Sequence, residues 1–238
     1  MSLVSIMVQA PRSLQVLYPD SDGQPMAENT LQYDWIVRLV ANLKYLLRDR
    51  TAFVAGDLLW YPVRVTEPPV PCQAPDVLVA LDRPPGRRGS YKQWEEAGIA
   101  PQVVFEILSP SNTALEMLKK LDFYREYGVL EFYLYNPDLP DFMGYVRSSV
   151  DDDFESIMPL TLPWSSPLLG IQFTWSAAEG LAVFYPDGEP FKDPGDILAE
   201  RDEAQQQRDK AQQQRDRAFA KLRELGIDPS TLNGDVKS

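Results

Sequence analysis

The sequence predicts an α/β (α+β) fold that is followed by a long C-terminal helix. Three observations indicate this class. Residues 103–135 have the pattern of a strand, a helix and a second strand. Apolar residues at helical spacing precede this unit, and short aromatic runs follow it. After Pro194 a charged, glutamine-rich segment repeats every seven residues. We therefore expect a globular domain at 1–194 and a helical extension with a frayed end at 195–238.

The composition supports one sizeable folded domain and removes several kinds of catalysis. The chain has 238 residues, of which 44% are hydrophobic and 11% aromatic, so it can build a real core. It contains no histidine and a single cysteine, Cys72. Histidine triads, histidine-ligated zinc and internal disulfides are thereby excluded. Any catalysis has to use carboxylates, lysine, tyrosine, serine or a hard metal ion.

Charge and hydropathy give expectations about location and partners. No apolar run approaches the roughly 20 residues of a membrane-spanning helix, and the first residues lack the pattern of a signal peptide. With the single cysteine, this predicts a cytoplasmic protein that is not bound to a membrane. The net charge of −12 disfavours broad non-specific attraction to nucleic acid, but it leaves room for a local basic groove.

The first 81 residues are expected to hold a helix and three strands. A helix is predicted over about 28–48 from apolar residues at helical spacing, which are Leu31, Trp35, Leu39, Leu43 and Leu46. Residues 51–65 predict a pair of strands joined by a turn at 55–57. A proline-rich loop follows. Asp76 then opens a short apolar strand that ends near Leu81.

Residues 82–101 form a basic insert, which carries Arg83, Arg87, Arg88, Lys92, Tyr91 and Trp94. Two interpretations remain open for it. The arginines could contact phosphates while Tyr91 and Trp94 stack on bases. Alternatively, the insert is an ordinary surface loop.

The segment after the insert predicts the centre of the sheet. Residues 103–108 are apolar except for Glu106, which is typical of a central strand covered on both faces. Thr113 and Glu116 have the spacing of a capping box, so a helix should begin there and run to about Tyr127, with Gly128 as its C-terminal cap. A strand is predicted at 130–135.

Asp76 and Glu106 are the first candidates for chemistry, because both lie in segments that otherwise read as buried strand. A buried acid is costly unless it is paired or holds a metal. Mg²⁺ prefers oxygen ligands, and the two carboxylates with the backbone carbonyl of Ile107 could supply three of them. Structural alternatives remain: Asp76 as an acid that caps a turn, and Glu106 as a partner in an ion pair with an arginine.

The predicted helix adds a lysine to this region. Residues 116, 120, 124 and 127 lie along one stripe of the helix, so Lys120 can be placed over the strand that carries Glu106. The alternative for Lys120 is a solvated surface lysine. Tyr124 and Tyr127 are expected at the edge of the core.

Four short motifs carry a family resemblance. They are Pro75-Asp76-Val77, the strand Val-Val-Phe-Glu-Ile-Leu-Ser-Pro-Ser at 103–111, Lys-Leu-x-x-Tyr at 120–124, and Gly-Val-x-Glu-Phe at 128–132. Together they resemble the Uma-type (Uma-two) restriction endonuclease family of the PD-(D/E)XK nuclease superfamily. The resemblance covers roughly residues 15–190 and is strongest over 75–136.

The resemblance implies a restriction-endonuclease-like fold, a mixed sheet flanked by helices, with Mg²⁺- or Mn²⁺-dependent cleavage of DNA. It implies that Asp76 and Glu106 hold the metal and that Lys120 serves the attacking water. Leu108 stands where the superfamily usually has its lysine, so Lys120 matches a displaced lysine, with Lys119 as the neighbour that could be mistaken for it. Glu28 is the candidate for a further acid on the first helix.

Two other functions remain open. The chain could be a catalytically inactive nuclease-fold module that binds nucleic acid or a partner protein, and the acidic net charge favours that view. It could instead be a small-molecule hydrolase with the same metal site, which would need a closed apolar pocket. The presence of Asp76, Glu106 and a suitably placed lysine favours the nuclease.

The C-terminal repeat suggests self-association. One line of the heptad is formed by Ile197, Ala204, Ala211, Ala218 and Leu225, whereas the other core line is polar. We expect a homodimer or higher homo-oligomer, because cutting two strands calls for two sites. A charged tail that packs against little is the alternative.

Overall fold

The structure is a computed structural model that describes residues 17–139, 141–176, 178–225 and 228. It divides into two compact units, with the division between Phe191 and Lys192. The predicted boundary at 194 and the predicted frayed end stay predictions, and most of that end lies outside the described residues.

The first unit contains two α-helices and eleven strands among its described residues. Helix α1 is Thr30–Leu46 and helix α2 is Ala114–Tyr127. The strands are β1 Ala52–Gly56, β2 Trp60–Tyr61, β3 Val77–Leu81, β4 Tyr91–Lys92, β5 Val103–Ile107, β6 Glu131–Asn136, β7 Asp141–Val146, β8 Glu155–Ile157, β9 Trp164–Ser165, β10 Gln172–Ser176 and β11 Gly180–Phe184. Short 3₁₀ helices lie at Gln93–Glu95 and Pro159–Thr161.

The central sheet is mixed, as predicted. Its order is β1-β3-β5-β6-β7-β8, in which β5 and β6 are parallel and the other neighbours are antiparallel. Two smaller sheets, β11-β10-β9 and β2-β4, complete the unit.

Strand β5 is central and buried on both faces, which confirms the prediction from its continuous apolar run. Val103, Phe105 and Ile107 belong to a core cluster that includes the buried face of α1. Val104 points to the opposite cluster, which includes Tyr124 of α2. Helices therefore flank the sheet on both faces, and Glu106 lies on the same side of β5 as Val104.

The helix signals were also correct. Asn29 caps α1 by accepting a hydrogen bond from the backbone N–H of Gln32. Thr113 and Glu116 form the predicted capping box of α2, and Gly128 ends that helix in the left-handed region at φ 102°.

The predicted hairpin over 51–65 is wrong. Strand β1 pairs with β3, in register from Ala52↔Leu81 to Gly56↔Val77, and β2 pairs in parallel with β4 in the basic insert. The chain leaves the sheet at Asp57, whose φ of 46° is left-handed and turns the following residues away from β1.

The second unit, described from Lys192 to Leu225 and at residue 228, contains the predicted long helix, α3, at Pro194–Glu224. None of its residues is buried, so the alanine line of the heptad is exposed along its length. Within the described part of the chain, no helix combines the length and apolar character needed to cross a membrane.

Candidate active site

Asp76 lies immediately before β3, and a backbone N–H fixes its carboxylate. The N–H of Ile107, at the end of β5, donates to Asp76 Oδ2 at 2.6 Å. Because β3 and β5 are antiparallel neighbours, the first residues of β3 and the last residues of β5 lie side by side at the same end of the strands. The two sequence-predicted strand acids are thus brought to one place.

Glu106 is 2% exposed, and both of its carboxylate oxygens have side-chain donors. Lys120 Nζ donates to Oε2 at 2.8 Å, and the hydroxyl of Tyr124 donates to Oε1. Both donors come from one stripe of α2, as the helical spacing predicted. The alternative pairing of Glu106 with an arginine is therefore wrong, as is the view of Lys120 as a freely solvated lysine. Tyr124 is completely buried and part of the core.

The pKa of Asp76 is raised to about 8. Burial is the main cause, and the negative charge of Glu106 adds to it, while the N–H of Ile107 and the charge of Lys120 act in the opposite direction. The charge of Lys120 is therefore insufficient to keep the carboxyl group of Asp76 deprotonated at neutral pH. A cation bound beside Asp76 would favour its charged, deprotonated form.

Lys120 stays protonated at neutral pH. Burial on its own would lower its pKa, but the carboxylate of Glu106, its hydrogen bond and the charges of Asp76 and Glu116 prevail and raise it. In this environment Lys120 acts as a fixed positive charge and hydrogen-bond donor.

The carbonyl of Ile107 is held by Gln32, a residue that no sequence motif indicated. Gln32 Nε2 donates to this carbonyl at 2.8 Å, and the Gln32 side chain also hydrogen-bonds Asp76. Gln32 is buried on the face of α1 that also carries Trp35, Ile36 and Leu39. A polar residue on the apolar face of an amphipathic helix was the available signal for it.

Asp57 is a second residue missed from sequence. It continues the register of β1 and β3 and so lies opposite Asp76, and its N–H donates to the carbonyl of Asp76 at 3.2 Å. The pKa of Asp57 is raised, first by burial and then by the charge of Asp22, while Lys120 lowers it and Glu106 raises it. A third carboxylate therefore acts electrostatically on the site, and only the strand register reveals it.

Glu28 and Lys119 have other surroundings. Glu28 precedes α1, and its carboxylate accepts hydrogen bonds from Ser109 Oγ at 2.7 Å and Ser111 Oγ at 2.5 Å. Lys119 is exposed on α2, and its charge acts on Glu116. The pair that contacts Glu106 is Lys120 and Tyr124, so Lys120 is the lysine of this cluster.

The basic insert is largely structural. Arg83 Nε and Arg88 Nε both donate to Glu96, at 3.1 and 2.5 Å. Tyr91 is fully buried and donates its hydroxyl to the carbonyl of Ile99, so it cannot stack on a base. Trp94 packs against Tyr18. Arg87 alone among these arginines is exposed.

The residues present fit a hard divalent cation held largely by water. Asp76 and Glu106 provide two carboxylates, which is the number that Mg²⁺ commonly takes from protein, and Ile107 has a carbonyl lone pair in addition to the one that Gln32 occupies. Within the described residues, no three acidic or cysteine side chains are close enough to form a metal cage. Water would therefore complete the coordination shell.

Comparison with known proteins places the chain in a family. The sequence profile of the Uma2 family, described as "Putative restriction endonuclease", matches residues 18–183. The chain belongs to the Uma2 family. A search of curated proteins found no match. Among solved structures, a nuclease of Anabaena variabilis ATCC 29413, described as putative and as belonging to DUF820, is 17% identical with a TM-score of 0.42, covering 62% of this chain and 77% of its own.

Membership of Uma2 confirms the resemblance drawn from the four motifs, and the match spans most of the first unit. The mixed sheet flanked by helices confirms the predicted fold class. The Uma2 profile supports a nuclease-like function for this chain. The assignment of individual residues to catalysis stays a prediction.

Proposed function

We propose that this Uma2 protein is a metal-dependent endonuclease that hydrolyses DNA phosphodiester bonds, with Asp76, Glu106 and Lys120 as its catalytic residues. The observation that carries the proposal is the contact of Lys120 Nζ with Glu106 Oε2 at 2.8 Å. It lies at the end of β5, where the carboxylate of Asp76 is also held. This arrangement brings together two carboxylates that can hold a metal and an ammonium group that can stabilise developing negative charge, which suits phosphodiester hydrolysis without histidine.

Asp76, Glu106 and the carbonyl of Ile107 would hold Mg²⁺ or Mn²⁺. When bound, such an ion polarises a phosphoryl oxygen and lowers the pKa of a coordinated water. The protein's own contribution is orientation. The N–H of Ile107 fixes the carboxylate of Asp76, and Tyr124 fixes that of Glu106. Lys120 is charged, so it donates a hydrogen bond to the attacking water or to the phosphate and offsets the developing negative charge.

A second function is favoured by one feature of the same site. Both oxygens of Glu106 already have protein donors, and this network is satisfied without a metal. That is also what a catalytically inactive module would keep as a structural ion pair. Such a module would bind nucleic acid or a partner protein through the same fold.

The two functions are separated by a cleavage assay. Supercoiled plasmid would be incubated with the wild type, Asp76→Asn and Lys120→Met in Mg²⁺ or Mn²⁺. Nicking by the wild type that both substitutions abolish supports the nuclease. Intact plasmid with every protein and either metal, at protein concentrations that bind the DNA, supports the inactive module. Nicking that persists in both variants would place the cleavage outside this site.

We also propose that the protein works in the cytoplasm. We further propose that it forms a homodimer or a higher homo-oligomer, because cutting two strands calls for two active sites. The exposed alanine line of α3 is the candidate for the contact. Sedimentation equilibrium of the full chain and of a chain ending at Asp193 tests this. If both proteins form assemblies with the same number of protomers, α3 is not needed for the contact.

A further inference from the structure

A groove with a volume of about 560 Å³ runs along the outer side of β1. Strand β1 forms its floor, the end of α1 lies on one side, and the Pro85–Arg88 segment of the basic insert lies on the other. The groove reaches Gly56 and Leu58, the two neighbours of Asp57. One end of the groove is therefore adjacent to the candidate active site.

The charge of the groove is opposite to that of the chain. Acidic residues outnumber basic ones by 35 to 23 overall, yet the described lining includes no acid. Its charged lining residues are Lys44, Arg48, Arg50, Arg87 and Arg88. This concentration of one sign in a concave surface creates a local positive potential that attracts a polyanion.

Three of these cations are exposed and have no acidic partner among the described residues, although Arg50 Nη1 donates to the carbonyl of Leu168 at 3.4 Å. Arg88 is engaged by Glu96, and Arg48 lies 3.4 Å from Asp49 and covers the ring of Tyr45. In contrast, Lys44, Arg50 and Arg87 are exposed and have no ion pair in the described parts of the chain. They stand on both sides of the groove, since Lys44 is on α1 and Arg87 is on the insert.

The floor of the groove adds a backbone donor. Asp57 N donates to the carbonyl of Asp76, and Asp82 N donates to that of Thr51, so the odd-numbered residues of this strand face β3. The N–H and C=O groups of Ala52, Val54 and Gly56 consequently both point away from β3, at the edge of the sheet. Ala52 and Val54 are buried, so the N–H of Gly56 is the backbone donor among these three that a phosphate oxygen can reach.

From these features we infer that the groove binds the phosphate backbone of DNA and leads it to the active site. The inference rests on the proposed nuclease function for the identity of the polyanion. The groove has no exposed aromatic platform among its described residues, because Phe53 is buried under the guanidinium of Arg88 at 3.9 Å. Base stacking is thus absent, and the groove contacts the backbone without reading sequence.

Binding without cleavage tests the inference. A short fluorescent DNA duplex would be titrated with the full chain in EDTA at several salt concentrations, comparing the wild type, Lys44→Gln/Arg87→Gln and Arg64→Gln/Arg125→Gln. The second pair is exposed, lies outside the groove lining and removes the same charge. We expect the groove pair to weaken binding by about tenfold or more and to reduce the slope of log K against log salt by about 2. The control pair should leave the slope unchanged.

Three results would overturn the proposal that the groove binds DNA. They are an equal loss of affinity in both double variants, wild-type affinity in Lys44→Gln/Arg87→Gln, or no DNA binding by the wild type. Two duplexes of unrelated sequence should bind alike, and a clear preference for single strands would argue against backbone recognition in this form. The plasmid assay is independent of this titration. If the groove substitutions weaken DNA binding but the wild type does not nick plasmid, the groove proposal stands and the nuclease proposal fails. If the wild type nicks plasmid and the groove substitutions leave DNA binding unchanged, the nuclease proposal stands and the groove proposal fails.

Discussion

Lys120 Nζ lies 2.8 Å from Glu106 Oε2, although the two residues are on different elements. Glu106 is on β5 and Lys120 is in the second turn of α2. In the motif pattern that the sequence resembles, the lysine follows the acid by two residues, and this chain has Leu108 at that position, immediately after β5. Helix α2 therefore supplies the ammonium group that β5 lacks, and this group contacts the carboxylate of Glu106.

The first prediction distinguishes Lys120 from its neighbour. Lys120→Ala should lower nicking of plasmid by roughly 100-fold or more, because it removes the charge and hydrogen-bond donor beside the reacting phosphate. Lys119→Ala removes the same charge from an exposed site and should retain wild-type nicking. Initial rates at saturating Mg²⁺ provide the measurement. Equal effects of the two substitutions would contradict the displaced-lysine assignment.

Lys120→Ala should also destabilise the fold, since it leaves a buried carboxylate with one donor fewer. We expect a loss of about 3 kcal/mol in the free energy of unfolding. Circular dichroism of each variant at the assay temperature is needed to separate loss of chemistry from loss of structure. Lys120→Arg keeps the charge, so restored stability without restored nicking would assign Lys120 a role beyond folding.

Asp76 gives a prediction for pH. Its pKa is about 8 in the folded metal-free protein, against 3.8 for the unfolded group. Between these values the folded state holds a proton that the unfolded state has released, so the stability contributed by Asp76 is full below pH 4 and is lost as pH rises to 8. The free energy of unfolding in EDTA should fall by up to about 1.4 kcal/mol per pH unit relative to Asp76→Asn.

Denaturant unfolding of the wild type and Asp76→Asn across this range tests that relation. The substitution removes the titrating group and keeps most of the side-chain volume, so its stability should fall less steeply with pH. Parallel curves would show that the pKa of Asp76 is ordinary. Adding Mg²⁺ should flatten the wild-type curve, because the cation favours the deprotonated carboxylate.

Asp57 provides a test of the third carboxylate. We expect Asp57→Asn to weaken Mn²⁺ binding by up to about tenfold, because it removes a negative charge that acts on Glu106 and Lys120. Asp57→Gly should weaken binding equally but stabilise the fold by about 1 kcal/mol, since glycine adopts the left-handed φ of 46° at lower cost. Calorimetric titration and thermal unfolding measure the two effects.

Asp82 is the matched control for Asp57. It is also a left-handed aspartate, at φ 62°, and it follows the opposite end of β3. Asp82→Gly should give the same gain in stability with no change in Mn²⁺ affinity. If both glycine variants bind Mn²⁺ as the wild type does, Asp57 has no part in the metal site.

The sequence predicted the helices and strands better than it predicted which strands pair with each other. The capping box at Thr113, the cap at Gly128 and the double burial of β5 depend on local pattern and were correct. The supposed hairpin failed because apolar residues on both sides of residue 57 satisfy a strand pattern regardless of partner. Asp57 and Gln32 were missed for a related reason. Their contacts with Asp76 depend on the register of β1 and on the docking of α1, which are non-local.

Glu131 shows why a buried strand acid does not by itself indicate catalysis. It is 1% exposed at the start of β6 and, like Glu106, interrupts an apolar strand. Its carboxylate accepts hydrogen bonds from Ser166 Oγ at 2.5 Å, Leu168 N at 2.8 Å and the hydroxyl of Tyr133 at 3.0 Å. No lysine or arginine is among these partners, and together they fix the turn after β9 to the sheet.

Glu131→Ala should therefore destabilise the protein without disabling the site. Burial is the main cause of the raised pKa of Glu131, and its donors offset only part of that cost. Removing the carboxylate takes away the acceptor of two buried hydroxyls and of the half-buried N–H of Leu168, so we expect a loss of about 3 kcal/mol in the free energy of unfolding. Well below its lowered melting temperature, the variant should nick plasmid at close to the wild-type rate. A specific loss of nicking in the folded variant would instead extend the active site to the turn at Ser166.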